Sequence, residues 1–191
     1  MQINGYVSSI IARDQAKFEK TPAIKEAAQK TAKAALTDDV VAQIKEHAKK
    51  DAQVKVYQQS GYVSMINAYK QQSVSPNRQE AVSRATLAMN SATKGGDDLV
   101  SMLLGGYSMK AWMGMITTAE VYAPNGEMIA AFNSDGGGWT EIPTEAEYQF
   151  MHEADRIYRE AYDAARAEIN AAAAKRSEVD REGAASFDVR V

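Results

Sequence analysis

The chain has no cysteine among its 191 residues, which excludes disulfides and thiolate metal sites. It leaves the compartment open, because a reducing cytosol and export of an unfolded chain both permit it. Histidine is nearly as scarce, with only His47 and His152. His152 opens the segment "HEAD", but Arg156 stands where a zinc-protease HExxH helix needs its second histidine. The zinc reading therefore fails, and neither a metal nor a cofactor is expected. A strong charge of either sign is also missing. The net charge of −3 speaks against bulk electrostatic binding to nucleic acid or anionic lipid. The opening "MQINGYVSSIIARDQ" lacks the basic start and apolar core of a secretory signal. A cytoplasmic protein of bacterial type is the expectation, with signal-independent export as the other route. One long apolar run needs testing as a membrane span: Leu99 to Ile116, 18 residues. Lys110 near its middle would cost about 2.5–3.5 kcal/mol on insertion scales, and glycines and serines dilute it further. A buried helix, or a helix plus a strand, fits better than a membrane helix.

What is present is apolar and helix-punctuated. Hydrophobic residues make up 45 % of the chain, enough for a sizeable core. Thr21 and Pro22 cap a helix that runs through Ile24, Ala27, Ala28, Thr31 and Ala35 on one face. Thr37 caps the next, with Asp38 and Asp39 in its first turn and Val41, Ile44, Ala48 and Ala52 on one stripe. This helix either ends near Gln53 or runs on: helical spacing continues through Val54, Tyr57, Gly61, Met65 and Ala68, with Gly61 as the weak point and a helix favoured there. Ser75 and Pro76 open a further helix over Ala81, Val82, Ala85, Ala88, Met89 and Ala92, stopped by Lys94-Gly95-Gly96. "DDLVSMLL" reads as another helix start, acids first.

The texture then changes. Ala123-Pro124-Asn125-Gly126 is a hairpin turn between "TTAEVY" and "EMIAAFNS". "WTEI" adds a short strand. "TEAE" at Thr144–Glu147 is a capping box, with Pro143 stapling onto Tyr148. It opens a long helix with a wide apolar arc: Phe150, Ala154, Ile157, Ala161 and Ala164, beside Met151, Tyr158, Tyr162, Ala165 and Ile169. "NAAAAKRSEVDREG" turns polar and alanine-rich, as a segment that projects or frays, and "SFDVRV" alternates as a strand paired with the hairpin would, or forms a loose tail. Two echoes, "GYVSSI" with "GYVSMI" and "DDVVAQI" with "DDLVSML", differ in offset, so they are not a solenoid repeat.

The Gly136-Gly137-Gly138 run lacks the Lys of a P-loop and the spacing of a dinucleotide loop. It reads as a turn that aims Trp139 at the core, or as a ligand loop with Asp135 as acceptor. A ligand corner would use Asp135, Trp139, Tyr148 and His152. A Ser134/Asp135/His152 triad has no nucleophile elbow behind it. The acid pairs Asp38-Asp39, Asp97-Asp98 and Glu145/Glu147 all sit at helix starts, a sufficient structural role. His47 lies on a charged, exposed flank. Met102, Met109, Met113 and Met115 cluster around Trp112, as an adaptable core or a soft interaction surface. Lys17, Lys20, Lys25, Lys30 and Lys33 make the N-terminal helix basic, yet with one Arg, one Phe and an acidic whole chain it falls short of a nucleic-acid face.

The expected fold is α+β and mostly helical. It is a bundle of about five helices with a β-hairpin or small antiparallel sheet inserted before a long C-terminal helix. One domain is favoured, with 1–95 and 96–191 as the alternative division. The leading functional expectation is a non-enzymatic structural or interaction protein with a protein partner or self-association. The alternatives are a small-molecule binder or enzyme at the Asp135 corner, and a nucleic-acid-linked regulator through the lysines.

Overall fold

The computed structural model describes residues 22–91, 98–102 and 104–185. Among them the fold is α+β and mostly helical, with five α-helices and an antiparallel sheet before the long C-terminal helix. They divide into two compact units, one of residues 22–35 and 70–150, the other of residues 36–69 and 151–185.

The first unit is a sheet with a helix on one face. The helix α1 (Pro22–Ala35) buries Ala28, Ala32 and Ala35 and packs beside a π-helical turn, Lys70–Val74. The helix of Arg78–Ser91 is α4, in chain order after the two helices of the second unit. Strands β1 (Asp98–Met102), β2 (Ser108–Met113), β3 (Thr117–Tyr122), β4 (Met128–Asn133) and β5 (Gly138–Glu141) form a meander, each antiparallel to the next. Strand alternation puts Met109, Ala111, Ala119, Val121 and Ala130 on the inner face. There they meet Ala81, Ala85 and Met89 of α4. Trp112 and Thr118 pair on the other face.

The turns follow their local chemistry. Gly126 adopts φ +85° and donates its N–H to Ala123 O at 2.9 Å, closing the expected β3–β4 hairpin. Residues 134–137 close the β4–β5 hairpin, which includes the expected "WTEI" strand. The capping box is present as read: Thr144 Oγ1 accepts from Glu147 N, and Glu147 Oε2 accepts from Thr144 N.

The second unit is helical. The helix α2 (Asp38–Val54) starts at the expected cap Thr37 and buries Val40, Ile44, Ala48, Asp51 and Ala52. The helix α3 (Ser60–Tyr69) buries Tyr62 and Ile66. The helix α5 (Glu145–Ala185) contributes Ala154, Tyr158 and Ala165 to this unit's core.

Several expectations are corrected. "DDLVSMLL" is not a helix start: Asp98–Met102 is β1, paired to β2 from Asp98↔Trp112 to Met102↔Ser108. A run this short has no period that separates a buried helix from a strand, and the pairing partner decides. The Leu99–Ile116 run accordingly holds two strands, and among the described residues no helix is long and apolar enough to cross a membrane. The continuous run across residues 54–68 does not form: α2 ends at Val54, matching the alternative end near Gln53, because Lys55 and Gln58 adopt left-handed φ of 59° and 51°, and a separate helix follows from Ser60. Ser75 does not cap α4. Ser75-Pro76-Asn77 forms a turn, Asn77 O takes the first helical N–H from Ala81, and the Ser75 hydroxyl goes to Glu147. The staple pair Pro143 and Tyr148 are both exposed. The buried arc of α5 is narrower than expected, with Ala164 exposed. His47 is half-buried, its ring 6.4 Å from that of Tyr62. The Lys94-Gly95-Gly96 stop, the "GYVSSI" echo, Lys17, Lys20 and "SFDVRV" lie outside the described residues.

Candidate interaction surface

The two loops that end the sheet on one side are residues 114–116, between β2 and β3, and residues 134–137, between β4 and β5. They are tied together. Ser134 N donates to Thr117 O and Thr117 N to Ser134 Oγ, both at 2.9 Å. A further bond, Asp135 N to Asn133 Oδ1 at 2.9 Å, folds the glycine turn back on its own strand. Gly137 and Gly138 take φ of +100° and +96°, so the glycines serve the turn.

On this hydrogen-bonded end the sequence places large apolar side chains in solvent. Met115 is 103 % exposed, Ile116 48 % and Trp112 39 %. Strand alternation explains the split: Met109 and Met113 point to the α4 side, where Met109 is fully buried and Met113 packs on the core, while Trp112 faces away. Of the methionines grouped around Trp112, one is core, one borders it and one is outside; the side chain of Met102 lies outside the described residues. Asp135, also exposed, sits on the adjoining turn.

The proposed corner residues fall in different places. Trp139 is half-buried on the inner face, where its indole N–H donates to Thr86 Oγ1 at 2.9 Å and its ring centroid lies 5.3 Å from that of Phe132. Tyr148, 61 % exposed, and His152, also exposed, belong to α5. A Cβ at Gly137 or Gly138 would meet nothing within 4 Å, so these glycines border open space and no close approach. Among the described residues no group of three or more His, Asp or Glu could hold a metal ion.

Two buried polar clusters had no signal in the sequence. In the first unit Arg78 and Glu147 form an ion pair, both nearly buried. Arg78 Nη2 also donates to Ile129 O at 2.6 Å and Ile142 O at 2.9 Å. Glu147 accepts from Ser75 Oγ at 2.7 Å as well. Burial by itself raises the Glu147 carboxyl, but the Ser75 hydroxyl, the Thr144 amide and the Arg78 guanidinium together hold it below the usual value. Arg78 Nε keeps no hydrogen bond, with Glu141 Oε2 at 3.9 Å. In the second unit the buried Tyr158 hydroxyl donates to Asp51 Oδ2 at 2.5 Å and accepts from Gln58 N at 2.8 Å. Burial and then the bond to Asp51 push that phenol above its ordinary range. A capping-box glutamate looks complete with its own helix, so nothing in "TEAE" advertises a partner 69 residues away.

Two small cavities lie among the described residues. A groove of about 290 Å³ runs between α2 and α5, lined by Lys45, Lys49, Ile157, Glu160, Ala164 and Glu168 among others. A pocket of about 70 Å³ lies by Asn77, Arg84 and Gly105. Compared with known proteins, the chain matches no family model, no curated protein and no solved structure.

Proposed function

We propose that the chain is a non-enzymatic interaction protein that docks a protein partner on the loop end of its sheet. The observation that carries this reading is the trio Trp112, Met115 and Ile116, large apolar residues held in solvent on an end pinned by the Thr117–Ser134 bonds. Burying one such side chain is worth about 1.5–3 kcal/mol, and none of that is recovered for Met115 within the fold. Tryptophan and methionine are enriched in interface cores, and a rigid scaffold loses little entropy on binding. The partner this end fits carries an apolar groove that admits the hairpin tip.

The ligand-corner reading has less behind it. Trp139 spends its one donor on Thr86, and the glycine turn borders open space.

The test compares the wild-type chain with a Trp112→Ser/Met115→Ser/Ile116→Ser variant as bait in quantitative affinity capture. All three sites are exposed, so the melting temperature should stay within a few degrees. Partners held by the wild type should drop out with the variant. Identical captured sets from both baits would refute the docking role.

A further inference from the structure

The second unit carries a feature outside that sheet end. Beyond Ala165 only Arg166 and Ile169 of α5 are half-buried among the described side chains, and every residue from 170 to 179 is exposed. Val179 is 67 % exposed. One face of this helix continues the α2–α5 groove in phase. Ile157, Ala161, Ala164 and Glu168 line the groove, and Ala171, Lys175 and Val179 follow at three- or four-residue spacing.

This stripe is complementary to itself, but only when reversed. In an antiparallel pair centred between Ala171 and Ala172, Glu168 stands opposite the second copy's Lys175, and the reciprocal pair repeats by symmetry. The same register sets Val179 of one copy over Ala164 of the other, at the groove where α5 presents Ala161, Ala164 and Ala165. Between these points the small side chains of Ala171–Ala174 let the helix backbones approach closely. A parallel pair would instead set Glu168 against Glu168 and Lys175 against Lys175, which is repulsive. We infer that the chain self-associates through α5 as an antiparallel homodimer, with Val179 of each copy seated in the α2–α5 groove of the other.

The test uses the full chain in size exclusion with light scattering and in sedimentation over a range of concentrations. The wild type should form a dimer that weakens with salt. Glu168→Lys alone and Lys175→Glu alone, both at exposed sites, should each weaken it roughly tenfold, since two symmetric pairs turn repulsive. The combined variant Glu168→Lys/Lys175→Glu should restore it. Val179→Asp should abolish it. A monomer at every concentration overturns the inference. So does a dimer that ignores both single reversals, or a double variant no better than the singles.

Discussion

Arg78 and Glu147 show what one buried pair does to a small fold. Removing one partner leaves the other charged and dry, at a cost of about 3–5 kcal/mol. Arg78→Ala is therefore expected to lower the urea midpoint strongly at neutral pH, far more than an exposed Arg84→Ala. The acid limb is a second check. The folded Glu147 carboxyl is held below its ordinary value, so its contribution is fully present above that ordinary value. It is lost as pH falls through the folded value, when the unfolded chain binds the proton more readily. Stability should thus decline as pH falls through and below the ordinary carboxylate range, and Glu147→Gln, weaker at neutrality, should show a flatter acid limb in the same denaturation series. At this scale the sequence was half legible. Thr144 and Glu147 declare a capping box because both partners are local, whereas Arg78 and Ser75 reach Glu147 only through the fold.

Elements show where local signals are enough. The end of α2 is a Schellman motif: Lys55 N bonds Ala52 O, and Val56 N bonds Asp51 O. Its C′ position holds lysine at φ 59° where glycine is favoured. Lys55→Gly should raise stability by on the order of 1 kcal/mol, read as a higher melting temperature. Gly61 is the converse case. It lies in α3, and a Cβ there would sit 3.6 Å from the His47 ring, an ordinary contact. Gly61→Ala should therefore gain about 0.5–1 kcal/mol by calorimetry, while Gly126→Ala, at φ +85°, should lose about 1 kcal/mol or more. The echo "DDVVAQI" and "DDLVSML" marks the limit of local reading. The first belongs to α2, and the second supplies β1. Both patterns suit a helix, but β1 gains its hydrogen bonds from β2, and no local signal carries that.

At the scale of the whole molecule the two proposed surfaces belong to different compact units. They should respond independently. The Trp112/Met115/Ile116 variant is expected to keep the α5-dependent dimer in light scattering, and the Glu168→Lys variant to keep capturing the same partners. If the dimer disappears with the hairpin-tip variant while melting is unchanged, self-association runs through the sheet end and α5 is not its seat.

The sequence by itself determined the fold class, the β3–β4 hairpin, the glycine turn and the start of α5. It also excluded disulfides and the zinc, P-loop and dinucleotide motifs. The hairpin, the glycine turn and the start of α5 each rest on residues within a few positions of one another, where sterics and capping act directly. Tertiary structure alone decided that residues 98–102 are a strand, that Trp139 bonds to Thr86, and that Arg78 neutralises Glu147. It also decided which methionine faces water. Those outcomes depend on segments distant in sequence competing for the same hydrogen bonds and the same buried space.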